Sequence, residues 1–179
     1  NMFDGINLQS AVLYFSFLLI FFIKGIDQRF LFIFLISLIF FSYMNIKGKI
    51  FLGNNGSYFL SFLVSIIIIC DHNWKQNYFV EEIFLYMLLP GVDMIRLTLT
   101  RIKNNRSPLK GDNNHIHHLL VNKFNYNKSI IIIFLFTFTP IILFNFFEIN
   151  LLMLIFLFLL LYLILLIICF NKDFKKNNL

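Results

Sequence analysis

The chain has 179 residues, of which 59% are hydrophobic and only 13% charged, and its mean hydropathy is +0.81. A soluble domain of this size cannot hide so much apolar surface, so the composition implies a lipid bilayer as solvent. The formal net charge is +6, but the basic residues punctuate apolar runs without aromatic interleaving, which argues against a nucleic-acid partner.

The chain opens on NMFDGIN. No basic segment precedes a short apolar stretch, so this is not a signal peptide. A polar motif at the first residue is expected of a chain whose upstream part is missing. Asn1, Asp4 and Asn7 recur at i, i+3 and i+6 and would form a drifting polar stripe on a helix beside the membrane. Oxygen donors so placed suit Mg²⁺ or a nucleotide, while Asp4 could equally cap a helix.

Six apolar runs follow: Leu8–Ile23, Phe30–Met44, Ser57–Cys70, Ile83–Thr100, Ile130–Phe147 and Leu151–Phe170. They predict an all-α fold, a polytopic integral membrane helical bundle with about six transmembrane helices. No linker or repeat divides the chain, so residues 1–179 read as a single transmembrane domain. Before the third run stands FLGNNGSYF. Gly53, Asn55 and Gly56 suit a tight turn, and Ser57 is the expected N-cap of the next helix. The backbone N–H groups at that helix start offer an anion site; the plainer reading is an ordinary loop and cap. In the fourth run Asp93 and Arg96, three residues apart, can meet on one helix face. Charges inside a span are functional candidates, or else a buried structural pair.

Residues 101–128 form a basic, histidine-rich loop. Three of the four histidines of the chain, His115, His117 and His118, lie within four residues of it. Asp112 can cap a short helix through His115–Phe124. Ile116, Leu119 and Leu120 would share its apolar face, and His115 and His118 another. Zinc would need further ligands, and no cysteine or HExxH-type glutamate is near. Arg101, Lys103, Arg106 and Lys110 lead into the histidines, a donor set that suits a diphosphate. Otherwise the segment is a basic loop with incidental histidines.

Charge then sets topology. Lys47, Lys49, Arg101, Lys103, Arg106, Lys110, Lys123, Lys128, Lys172, Lys175 and Lys176 fall on one side of the predicted spans, against Lys24, Arg29 and Lys75 on the other. The positive-inside rule places the first side, with both termini, in the cytoplasm. NMFDGIN, LGNNGS and HIHH then share one membrane face. Cys70 and Cys169 fall at opposite faces, on the order of 30 Å apart, so both are expected as free thiols.

Taken together these motifs resemble the polyprenyl-phosphate N-acetylhexosamine-1-phosphate transferases. RSPLKGDNNHIHHLL is similar to the family's R-S-P … D-x-x-H-x-H-H-x-L loop. LPGVDMIRLTLTRI is similar to its P-x-x-D-x-x-R helix, FLGNNGSYFLSF to its M-G-D-x-G-S segment, and NMFDGIN to its N-x-x-D-G-x-D/N segment. The four occur in family order over residues 1–120, and the His-Ile-His-His pattern is nearer the N-acetylglucosamine-type subgroup. The resemblance implies transfer of a sugar 1-phosphate from a UDP-N-acetylhexosamine to polyprenyl (undecaprenyl) phosphate, starting a cell-envelope glycan. It implies a multi-pass protein of the bacterial inner membrane with its site facing the cytoplasm. It implies Mg²⁺, or Mn²⁺, as cofactor. Carried over residue by residue, catalysis falls to Asp4, His115, His117 and His118. Substrate contacts fall to Asn1, Asn7, Gly56, Ser57, Arg101, Arg106 and Asp112, and metal contacts to Asp4 and Asn54. Two departures stand out. The family's acidic pair on an earlier helix is absent, so the 179-residue chain alone is expected to be inactive. Its metal-binding Asp of M-G-D is here Asn54, which supplies an amide oxygen without charge. The competing readings are a catalytically inactive homologue that binds lipid or partners, and a small membrane transport subunit.

Overall fold

In the computed structural model the described residues are 5–107 and 114–171, and they are predominantly helical. Helix α1 is Gln9–Ile23, α2 Gln28–Ile46 and α3 Gly53–Lys75. The short α4, Val80–Tyr86, runs into α5, Leu88–Lys103. Helix α6 is Ile116–Phe124, α7 Tyr126–Phe147 and α8 Leu151–Phe170.

The turns show why the chain reverses where it does. After α1, Gly25 takes φ +75°, and Ile26 N–H donates to Phe21 C=O at 3.0 Å, a glycine-dependent helix stop. Asp27 then caps α2, its carboxylate accepting from Arg29 N–H at 2.7 Å. Gly48 at φ +65° closes α2 in the same manner, and Lys49 N–H reaches Met44 C=O at 3.1 Å. Asn150 caps α8 through Leu152 N–H at 3.0 Å. Ser57 is no cap. Helix α3 already begins at Gly53, and the Ser57 hydroxyl bonds back to the Gly53 carbonyl one turn earlier. A serine inside the first turns satisfies its hydroxyl this way, leaving the helix start without a side-chain cap.

Four helices, α2, α3, α7 and α8, are long and apolar enough to cross a bilayer, and α4 with α5 makes a fifth if the pair is one span. The chain is thus a polytopic helical membrane protein. Helix α1 has only 15 residues, short of the roughly 20 an ordinary span needs, so the first expected span is a short one. The expected fourth span is also not straight: α4 and α5 meet at 79°. Pro90 explains the break. It carries no N–H, and its ring collides with the carbonyl four residues back, that of Tyr86, where α4 ends.

Helix α1 is the centre of the bundle. Phe17, Ile20 and Phe21 are buried in it, and it packs on α2 and α7, with Ile133 and Ile141 of α7 fully enclosed. By contrast α3 buries only Ser57, Val64, Ile68 and Asp71. The outward faces of α2, α3 and α8, with Phe32, Phe62 and Phe156 exposed, are surfaces for hydrocarbon. Cys70 and Cys169 are free thiols, as expected.

Polar side chains collect at the two ends of the bundle. At one end Lys24 pairs with the fully buried Glu82 at 2.7 Å and donates to Asn77 C=O at 2.7 Å. Tyr86 OH donates to Glu82, and Asn145 of α7 donates to Tyr86 OH at 3.1 Å. Lys75 pairs there with Asp71 at 3.1 Å. The opposite end holds the motifs read from sequence.

Candidate functional site

The site is assembled around Asp93 of α5, which is 2% exposed. As expected, Arg96 meets it on one helix face, at 2.8 Å. Two further partners come from elsewhere. Tyr162 OH of α8 donates to Asp93 Oδ1 at 2.9 Å and accepts from Arg96 Nε at 3.0 Å. His115 Nδ1 lies 2.9 Å from Asp93 Oδ2. The backbone N–H of Ile116 points at both carboxylate oxygens, each at 3.2 Å. Arg96 also donates to the Asn114 carbonyl at 2.6 Å. A buried carboxylate with this many donors has no lone pair left for a metal.

Asp93 therefore caps α6 from another helix. Asp112, expected in that role, lies outside the described residues, and α6 has no side-chain cap of its own. The short helix expected through His115–Phe124 is present as α6, Ile116–Phe124. His115 stands at its N-cap position, and His117 lies in its first turn. Ile116 and Leu120 are buried as expected, but His117 joins them at 1% exposure, while Leu119 is only half-buried. The expected apolar face is thus rotated toward the bundle, where a polar partner for His117 exists.

That partner is Gln9, at the start of α1. Its amide nitrogen lies 3.0 Å from His117 Nδ1. The other ring nitrogen, Nε2, is buried and has no hydrogen-bond partner among the described residues. It faces Gly5, where a Cβ would fall 1.9 Å from Nε2, so only glycine permits this approach. His115 and His117 stack nearly parallel, with ring centres 5.4 Å apart, and His118 lies 4.2 Å from His117 at a tilt. Burial, and next the charges of His118 and His115, hold the His117 pKa down to about 3. Burial, and then His115, also lowers that of half-buried His118.

The other motif residues surround this core. The N-terminal turn is pinned twice. Leu8, strained at φ +67°, donates its N–H to the buried Asn45 at 2.6 Å. Tyr126 OH donates to Asn7 C=O at 3.0 Å. Tyr14 of α1 donates to Ser57 C=O at 3.3 Å. Residues 54–57, expected as a tight turn, are the first turn of helix α3; they and the histidines both reach α1, and among the described residues no hydrogen bond joins them directly. Asn54 is exposed, Gly56 half-buried and Ser57 buried. Arg101 is buried in the last turn of α5 and Arg106 is exposed beyond it, its N–H bonded to Arg101 C=O at 2.8 Å. Asn1 and Asp4 lie outside the described residues.

The chain is similar to the undecaprenyl-phosphate alpha-N-acetylglucosaminyl 1-phosphate transferases of Haemophilus influenzae and Pasteurella multocida. Each is 29% identical over 76 residues, 42% of this chain and 21% of the relative. The match thus spans about a fifth of the length of these curated relatives. No family model matches the chain, and no solved structure matches it.

The described residues alone do not make a Mg²⁺ site. No group of three or more histidine, cysteine or acidic side chains among them is arranged to hold a metal ion. Mg²⁺ takes oxygen ligands, usually one or two carboxylates; Asp93 is saturated and Asn54 brings only an amide. The carboxylates the motifs add are Asp4 and Asp112. Sequence reading missed Gln9, Asn45 and Tyr162. A signal existed for each: all three are polar residues at the edge of, or inside, otherwise apolar runs.

Proposed function

We propose that this chain belongs to a phosphotransferase that moves a sugar 1-phosphate from a UDP-N-acetylhexosamine to polyprenyl phosphate, at the cytoplasmic face of a bacterial inner membrane. The observation that supports it most is the docking of the histidine helix, tethered by Asp93, onto the Gly5–Gln9 turn. It gathers three of the four motifs, those of Gly5, Asp93 and the histidines, at one end of a lipid-facing bundle. A lipid phosphate and a water-borne nucleotide can meet only at such an interface.

In the reaction a phosphate oxygen of the acceptor forms a bond to the β-phosphorus of the donor. The bond from that phosphorus to the oxygen of the leaving UMP breaks, and UMP departs with the electron pair. The chain's task is to hold two anions together and to meet charge on the oxygens. The buried Nε2 of His117 has no competing partner among the described residues. Arg106 adds guanidinium donors that match phosphate oxygens, and Arg101 is assigned to the same substrate. The first turn of α3 offers free N–H groups beside Asn54. Mg²⁺ would offset charge on the diphosphate when bound; in this reading Asp4 and the amide oxygen of Asn54 hold it.

A neutral Asn54 where the family motif has an acid also supports a second reading, an inactive homologue that binds lipid. One experiment separates them. The full-length protein in membranes is given UDP-N-acetylhexosamine and polyprenyl phosphate, with native Asn54 and with Asn54→Asp. An enzyme yields lipid-linked sugar, and Asn54→Asp lowers the Mg²⁺ concentration required. No transfer by either form would overturn the enzyme reading.

A further inference from the structure

Two stacked histidines meet neighbours of opposite hydrogen-bonding sense. His115 Nδ1 faces a carboxylate of Asp93, which can only accept, so that nitrogen carries a proton. His117 Nδ1 faces the side-chain amide of Gln9. Which end of the amide it meets is settled by a third group. The backbone N–H of Gly5, a donor only, lies 3.4 Å from Gln9 Oε1. The carbonyl end is therefore turned to Gly5 and the NH₂ end to His117. An NH₂ group must find a lone pair, so His117 Nδ1 is bare and the ring proton sits on Nε2.

We propose that Gln9 is a positioning residue: its amide, oriented by Gly5, fixes His117 as the Nε2-protonated tautomer and so presents a buried N–H donor at the site. Gln9 is itself fully buried, and it stands at the first position of a mostly apolar helix. Burying a primary amide there is costly unless both of its ends are used, and here both are. The arrangement leaves Nε2–H against Gly5 with no partner among the described residues. A buried donor left unpaired is a readiness to bind an acceptor, and an anionic phosphate oxygen is the strongest acceptor the proposed reaction brings. That last step rests on the phosphotransferase reading; the tautomer does not.

The test reads the ring directly. The full chain, labelled with ¹⁵N-histidine in detergent or nanodiscs at neutral pH, is examined by NMR, with His117→Ala assigning the signal. Wild type should show a bare Nδ1 and a protonated Nε2 for His117, and the reverse for Nδ1 of His115. Gln9→Glu replaces the NH₂ donor by an acceptor and should move the His117 proton to Nδ1. Gln9→Met, of the same length without an amide, should give both tautomers. A wild-type His117 protonated at Nδ1 would overturn the proposal even if no variant folds. So would a tautomer unchanged in well-folded Gln9→Glu. If the tautomer behaves as stated but the full-length protein transfers no sugar phosphate, the functional reading fails and the role of Gln9 stands.

Discussion

His117 sets the pH behaviour of the site. Buried as a neutral ring, it holds its pKa near 3 in the folded chain against an ordinary value of 6.5. The unfolded chain therefore binds the proton more readily, and stability falls as pH drops through the interval between the two values. Thermal unfolding in detergent from about pH 7 to about pH 4 should show a falling midpoint, and His117→Gln should flatten that slope. Equal slopes would mean that the ring is not buried neutral. At this scale the sequence was informative about residue type and weak about surroundings. The histidines, Asp93 and Arg96 were legible because charge in an apolar chain is conspicuous. That Asp93 would cap α6 was not, because the contact crosses 23 positions. Ser57 misled for a local reason, since a serine near a helix start can cap it or bond back within it.

Among the elements, the α4–α5 pair and α1 carry the design. The break at Pro90 turns α5, so that Asp93 and Arg96 face α6 and α8 together. Hydropathy alone could not show the turn, although the proline was in plain view. At the far end, Lys24 ties α1 to Glu82 of α4, and Tyr86 and Asn145 extend the tie to α7. Removing the cation alone leaves a buried, unpaired carboxylate. Lys24→Met should therefore destabilise the bundle by about 3–5 kcal/mol, and adding Glu82→Leu should recover most of it. Denaturation of both variants in mixed micelles measures this. A double variant no more stable than Lys24→Met would show that the pair is not the cause.

For the molecule as a whole, apolar periodicity and basic loops were enough to read a polytopic bundle with its motifs at one end. What they left out was the bend between α4 and α5, set by packing and by Pro90, which hydropathy does not register. The two-ended arrangement makes a sidedness prediction. With Cys70 and Cys169 replaced by serine, Asn73→Cys should react with a membrane-impermeant maleimide in intact cells. Ser107→Cys should react only after permeabilisation. Labelling of position 107 from outside would place the histidines away from the nucleotide.

The central claim is that a sugar leaves its nucleotide together with a phosphate. Full-length protein in membranes is given polyprenyl phosphate and a UDP-N-acetylhexosamine labelled at the β-phosphorus. The account predicts that the label moves into the lipid fraction and that UMP is the nucleotide released. Release of labelled UDP, with an unlabelled lipid sugar, would contradict it.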